Sequence, residues 1–336
     1  MNSSFRITVE NPVNRRRFIA LALGSAGSFS IAAPNLLSQD LKRFEKKGFG
    51  FGAEISLVAY HEDEATANRA IAAAFKALDE IENVLSLYRP DSELCRLNRE
   101  AAIQQPHPDF LKVLQNALEW AHWTNGAFDP TVQPLWSLHA ARKNFEPRQL
   151  EEARRLVDWK QVHASPEVIR IGPGQQITLN GIAQGFAADR VREIFVAHEI
   201  RHALINTGEF GALGDKPGGK PWQIGIQHPR AREAYLTLAA VTDRFLSTSG
   251  DYETKFSEDF SSHHIFDPST GRSPSELSSV TVLAPTGMEA DALSTAIFVL
   301  GSSRGFELAA RRKNVDVLLV TKASEVLATS NFPSHA

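Results

Sequence analysis

The apolar residues of this chain change period repeatedly, and never in a regular strand–helix–strand rhythm. That irregularity is the strongest constraint on its fold. Residues 51–60, from Phe51 to Tyr60, alternate loosely and are rich in strand formers, so they predict a strand. From Glu64 the pattern switches, with Ile71, Phe75, Leu78, Ile81 and Leu85 at intervals of three and four. Such spacing lines one face of a helix, which ends by Tyr88-Arg89-Pro90 because the residue before a proline avoids helical geometry. A second helix is expected from Pro108 to Trp123, stopped by Asn125-Gly126, and a third from Pro147 to Val157. Beyond these come strand-like runs at Val168–Ile171, Ala203–Ile205, Trp222–Ile226, Tyr235–Val241, Val280–Ala284 and Val315–Val320. Helical patterns interrupt them at Ala183–Val196, Glu289–Leu300 and Arg304–Arg312. The expectation is an α+β fold, mixed sheets with packed helices, rather than a doubly wound sheet.

The N-terminus reads differently. Arg15, Arg16 and Arg17 precede a short apolar run rich in small residues that ends at Ile31-Ala32-Ala33. A polar leader, paired arginines and terminal alanines are the features of a twin-arginine export signal. Residues 1–33 are therefore expected to be removed in export to the periplasm, leaving residues 38–336 as one functional domain. Acidic and basic residues nearly balance, at 39 and 36, which gives no basic stripe of the kind nucleic acid requires. Cys95 is the single cysteine, so neither an internal disulfide nor a cysteine-built metal site is available.

Several clusters could carry chemistry, and each has a plainer reading. Asp291, Ser294 and Thr295 lie three and four residues apart at the start of a predicted helix, so their oxygens share one side. One carboxylate and two hydroxyls suit Mg²⁺, but they equally suit a helix N-terminal capping cluster. The turn Leu179-Asn180-Gly181 feeding the 183–196 helix could present backbone N–H groups to a diphosphate, or simply permit close helix packing. In Ser262-His263-His264-Ile265-Phe266-Asp267 an imidazole beside a carboxylate could act as a general base, or be ordinary surface. Residues 248–252 and 126–131 read as polar loops, each able to fold an aromatic against a flat ligand or to serve as a turn.

Taken together and in order, these segments resemble the ApbE family of FAD:protein FMN transferases. The match runs from Phe51-Gly52-Ala53 through residues 86–98, 124–132 and 181–189. It continues through Asn206-Thr207-Gly208, residues 221–226, 248–252 and 263–271, to Thr295. The resemblance implies that FAD is the donor substrate, Mg²⁺ bridges its diphosphate, and a Ser or Thr hydroxyl of an acceptor protein takes the FMN as AMP leaves. It implies an acceptor that is membrane-associated and redox-active. By position it implies Asp291 and Thr295 as metal ligands, with Ser294 and a carbonyl near Gly181 contributing. It implies His264 as the base with Asp267 beside it, and flavin-nucleotide contacts from Phe51, Tyr88, Ala127, Phe128, Asp129, Thr178, Gln184 and Ile265. The chain departs from the usual family pattern at Thr178 (usually Asp), Asn180 (usually Gly), Gln184 (usually Lys) and Glu209-Phe210 (usually Gly-Asp). Two other readings keep the same pocket: hydrolysis of FAD to FMN and AMP, and flavin binding without turnover. The retained Asp291, Thr295 and His264 favour catalysis, because passive binding needs no metal-plus-base set.

Overall fold

The computed structural model describes residues 41–141 and 145–335, together with dipeptide strands β1 (Phe5–Arg6) and β2 (Val13–Asn14). The arginine run and apolar stretch assigned to an export signal lie outside the described residues. In chain order the remaining elements begin with strands β3 (Lys42–Gly50) and β4 (Ala53–His61), helices α1 (Glu64–Leu85) and α2 (Glu93–Glu100), and strand β5 (Ala102–Gln104). Helices α3 (Pro108–Trp123), α4 (Gln133–Ala141) and α5 (Pro147–Arg155) follow, then strands β6 (His163–Ala164) and β7 (Val168–Arg170) and helix α6 (Ala183–Ala197). Strands β8 (His202–Asn206), β9 (Phe210–Leu213), β10 (Trp222–His228), β11 (Ala231–Val241), β12 (Phe245–Gly250) and β13 (Leu277–Ala284) come next. Helix α7 (Gly287–Ala310) and strands β14 (Asp316–Thr321), β15 (Val326–Ala328) and β16 (Ser334–His335) complete the series.

A nine-stranded sheet in the order β1-β15-β14-β13-β12-β9-β8-β4-β3 forms the middle layer. Every pairing among the described strands is antiparallel, and helices pack on one face, as an α+β fold requires. Helices α1, α6 and α7 bury Ile71, Leu78, Phe186, Leu293 and Phe298 against Leu57, Ile205, Val280 and Val282 of the sheet. The opposite face packs Val58, Leu246, Leu283 and Leu318 against Trp222, Ile224 and Ile226 of the smaller β10–β11 sheet. With both faces covered, all eight residues of β13 are buried, its Ser278, Ser279 and Thr281 included, so no inside–outside alternation marks it in the sequence.

Most expected elements form within a residue or two of their predicted limits. The two helices expected at 289–300 and 304–312 are one run broken at Gly301, whose φ of 79° only glycine adopts without strain. Two expectations are corrected. Residues 248–250 are not loop but the end of β12, and the strand expected at Phe51 begins at Ala53, after a turn in which Phe51 and Gly52 both have positive φ. Strand β3 escaped prediction because it is an edge strand with largely exposed faces, so no apolar alternation marks it.

The crossing of α6 and α7 is what positions the site. A Cβ built on Gly185 would overlap the Gly287 carbonyl oxygen and sit 2.8 Å from the Asp291 Cβ. The helices then exchange caps. The Asp189 carboxylate of α6 accepts from the N–H groups of Gly287 (2.6 Å) and Met288 (3.0 Å), while Asp291 of α7 accepts from the N–H of Gly185 (3.0 Å). Gly185→Ala is expected to destabilise the protein by about 2 kcal/mol, because overpacking typically exceeds the ~1 kcal/mol gained in helix propensity. Urea unfolding checks this; a midpoint equal to or above wild type contradicts it.

Candidate functional site

The residues expected to hold a metal gather at this crossing. Asp291 is 4% exposed and does not cap its own helix; that role falls to Thr286, whose hydroxyl accepts from the N–H of Glu289 at 3.2 Å. Burial pushes the Asp291 carboxyl up to about 7, with the Gly185 N–H opposing the shift and the Asp189 charge adding to it. Thr295 lies one turn along, and a Cβ placed on Gly181 would come within 3.0 Å of its hydroxyl and 3.3 Å of the Phe128 ring. Only a glycine leaves the backbone at 181, Thr295 and Phe128 this close together. Ser294 is fully buried; its hydroxyl donates to the Asp291 carbonyl (2.8 Å) and contacts the Ser249 hydroxyl (2.8 Å). Ser294 thus braces the site from beneath, and the hydroxyl beside Thr295 is that of Ser249, at 3.2 Å. The two-residue period of β12 turns Ser247 and Ser249 toward α7 while Leu246 enters the opposite core.

A second carboxylate joins Asp291. Glu209 follows the β8 turn, where Gly208 takes a φ of 100°. Its Oε2 accepts from the N–H of Thr248 at 3.3 Å. Its carboxyl is enclosed although other atoms of the residue keep some exposure, and burial, then the Asp291 charge, raises it well above the usual carboxylate range. Sequence reading gave Glu209 no role, since the groups that meet it come from β12 and α7, far along the chain. The one local signal is an acid directly after Asn206-Thr207-Gly208.

Around this centre lie the expected flavin contacts. The side-chain amide of Gln184 donates to the Phe51 carbonyl at 3.3 Å, and the Thr207 hydroxyl donates to the Gln184 carbonyl at 3.1 Å. Position 184 therefore stitches α6 to the β3–β4 turn. The N–H of Phe51 donates to Glu82 (2.7 Å), which also pairs with Arg89 at 2.5 Å. Next to Arg89, Tyr88 is 70% exposed, a free aromatic face. Phe128 and Ile265 are buried in the main core, and of the 127–129 segment only Ala127 keeps appreciable surface. Asp129 anchors its own loop, accepting from the Thr131 N–H (2.8 Å), the Thr131 hydroxyl (2.6 Å) and the Trp159 N–H (3.4 Å). Burial still pushes its carboxyl up to about 6. Thr178 joins this loop through its N–H, which donates to the Pro130 carbonyl at 2.8 Å.

The two histidines separate into different roles. His263 is fully buried, edge-on to Phe298 of α7 with ring centroids 5.4 Å apart. Burial pushes it down to about 4, helped by Lys322 and opposed by the Pro274 carbonyl. The folded protein therefore keeps this ring neutral, whereas the unfolded chain binds its proton below the ordinary value of 6.5. Stability present at neutral pH is lost as pH falls toward 4, by about 2 kcal/mol between roughly pH 7 and 5. His263→Gln should remove that share of the acid sensitivity in urea unfolding; equal slopes for both proteins contradict the assignment. His264 is part-buried, with its Nδ1 3.3 Å from the Thr254 carbonyl. Burial lowers its pKa, so the neutral, proton-accepting ring prevails near neutrality.

Asp267 corrects an expectation. Its carboxylate accepts from the N–H (2.8 Å) and hydroxyl (2.7 Å) of Ser269, closing the Asp-Pro-Ser-Thr-Gly turn, and it makes no bond to His264 among the described residues. The carboxylate whose charge acts on His264 is Asp251, two residues beyond Ser249. Strand β12 thus links the oxygen cluster directly to the histidine loop.

Comparisons with known proteins bear on the family and the fold. The ApbE family model matches residues 51–319. The FAD:protein FMN transferase of Haemophilus influenzae is 32% identical over 330 residues, spanning 90% of this chain and 94% of its own. That of Treponema pallidum is 32% identical over 294 residues, with 80% and 81% covered. Among solved structures, the ApbE protein of Thermotoga maritima superposes with a TM-score of 0.79 at 26% identity, covering 88% of this chain and all of its own. The flavin transferase ApbE of Vibrio cholerae gives 0.75 at 26% identity, with 87% and 98% covered.

Proposed function

Because the chain belongs to the ApbE family and is a flavin transferase, we propose that it moves FMN from FAD to a Ser or Thr hydroxyl of an acceptor protein, with Mg²⁺ and release of AMP. The observation that carries this reading is the convergence of Asp291, Thr295 and Gly181 at the α6–α7 crossing, one strand away from the loop that bears His264.

The donor set fits Mg²⁺. Among the described residues no three His, Cys, Asp or Glu side chains gather into a metal-binding group. The oxygens of Asp291, Thr295 and Gly181 are hard donors, which Mg²⁺ typically supplements with water and phosphate. Burial raises the proton affinity of both enclosed carboxyls, Asp291 and Glu209, and the Asp291 charge adds to the shift at Glu209, a cost that a divalent cation would relieve. When bound, the ion would neutralise diphosphate charge. The chain's own groups do the rest. The start of helix α6, beside Gly181, has no side-chain cap from Ile182 and gives its Gly185 N–H to Asp291, so it would add positive potential where the diphosphate is held. The open ring of Tyr88 offers a flat surface for the flavin or adenine. His264 takes the proton of the incoming hydroxyl as its oxygen bonds to the FMN phosphorus and the bond to the AMP phosphate breaks.

FAD, Mg²⁺ and a purified acceptor protein, with AMP and protein-bound FMN followed separately, test the reading. Equal amounts of both support transfer. AMP with only free FMN makes the protein a hydrolase, and neither product despite tight FAD binding makes it a passive binder.

We also propose that the protein works in the periplasm after twin-arginine export, on an acceptor that is membrane-associated and redox-active. No helix among the described residues is long and apolar enough to cross a membrane. Replacing Arg15 and Arg16 with lysine should leave full-length precursor in the cytoplasm; normal processing of that variant contradicts the export route.

A further inference from the structure

His264 is presented by a loop that leaves β12 at Gly250 and returns to β13 at Leu277. Residues 254–264 of that loop double back on themselves. The His264 N–H donates to the Thr254 carbonyl (3.0 Å), the Phe256 N–H donates to the Ser262 carbonyl (2.8 Å), and Lys255 bridges His263. Phe260, with a φ of 58°, lies at the tip, and Asp251 lies at the base.

Two cations from other turns grip both ends of this loop. Arg230, at the β10–β11 turn, donates from Nη1 to Asp251 Oδ1 (2.6 Å) and from Nη2 to Asp251 Oδ2 (2.8 Å). Its guanidinium also lies 4.1 Å from the centroid of the Phe260 ring. Lys322, at the β14–β15 turn, sits 3.6 Å from Asp251 Oδ2, and its ammonium donates to the Phe260 carbonyl at 2.6 Å. Asp251 is fully buried, and a buried carboxylate is stable only when paired and hydrogen-bonded. The pairing is therefore a fixed part of the fold rather than a fluctuating surface contact.

We propose that Arg230 and Lys322 are positioning residues for transfer: by holding Asp251 and Phe260 together they fix the loop, and with it the His264 imidazole, relative to the Asp291–Thr295 cluster. This rests on the reading of His264 as the base. Neither cation touches the oxygen cluster, so the effect on FAD binding is small. What they control is where the imidazole stands when the hydroxyl loses its proton. A guanidinium fork stacked on a ring is not replaced by an ammonium, so even a charge-preserving change loosens the grip.

The test measures AMP release and FMN attachment with FAD, Mg²⁺ and an acceptor protein identified by its gain of FMN mass. Arg230→Lys is expected to lower kcat on the order of ten- to a hundredfold, the scale of a small misplacement, with the KM for FAD unchanged. Phe260→Ala removes the stacked ring without stranding a buried charge, and serves if Arg230→Lys does not fold; it should show the same kcat-only loss. In a His264→Ala background, either change should cause no further loss, because it acts only through His264. Wild-type kcat in folded Arg230→Lys and Phe260→Ala overturns the proposal, as does a full additional loss in the His264→Ala background. Normal transfer by His264→Ala alone overturns instead the base assignment on which the proposal stands.

Discussion

Asp291→Asn is expected to fold like the wild type and to lose nearly all turnover of FAD. The substitution keeps an oxygen that can accept from the Gly185 N–H, so the cap between α6 and α7 survives. It removes a carboxylate whose ionisation burial already opposes, so stability at neutral pH should hold or rise slightly. The loss falls on metal binding. Hydroxyls and a carbonyl carry too little charge to hold a divalent ion against water. Charge stabilisation of the transferring group by a metal is worth several kcal/mol, which makes the expected rate loss roughly a thousandfold or more. Metal-dependent turnover at the wild-type rate in this variant would remove Asp291 from the mechanism. Asp291→Ala should be equally inactive, but also less stable, since it leaves the Gly185 N–H without its acceptor.

His264→Ala should give the second large effect and separate proton transfer from binding. The imidazole is part-buried and neutral near pH 7, its pKa lowered by burial, and its Nδ1 is directed at the Thr254 carbonyl. Its loss should therefore leave FAD and Mg²⁺ affinity intact while slowing transfer by about a hundred- to ten-thousandfold, the usual worth of general-base assistance. His263, although adjacent, should not substitute for it: that ring is fully buried against Phe298. Asp267→Asn should have little effect on the pH dependence of transfer, because its carboxylate serves the Ser269 turn.

How far the sequence foretold this molecule depends on where each residue finds its partners. Helices α1 and α3 were legible because each packs one stripe on the core, so spacings of three and four survive in the sequence. Strand β12 was not, because it turns the hydroxyls of a buried Ser247 and a part-buried Ser249 inward; they are satisfied by Ser294 and Thr295, forty-five or more residues away. A run of serines and threonines looks like loop until that helix is in place. Helix α2 was missed for a plainer reason: in eight residues it buries only Leu94 and Leu97, too few to mark a period. Within the site, Gly181, Asp291 and Thr295 were drawn together by resemblance and do lie together. Glu209 was invisible because its neighbours are distant in sequence. Asp267 misled because an acid three residues from a histidine looks like its partner, whereas Asp-Pro-Ser-Thr-Gly is a self-contained turn whose Ser269 claims the carboxylate.

The departures at Thr178 and Gln184 also become intelligible. Gln184 is a neutral stitch between α6, the Phe51 turn and Gly208, and Thr178 serves the 124–131 loop through its backbone and the 178–180 turn through its hydroxyl. Neither position carries the metal-and-base set, which rests on Asp291, Thr295 and His264.

The central claim is transfer of FMN to protein, and intact-mass measurement of an exported acceptor co-expressed with this chain tests it most directly. The expected result is an acceptor heavier by one FMN less one water, with the added mass on a single Ser or Thr, and an unmodified acceptor when the enzyme carries Asp291→Asn. An unmodified acceptor in the presence of the wild-type enzyme, with FAD consumed to free FMN and AMP, would contradict it.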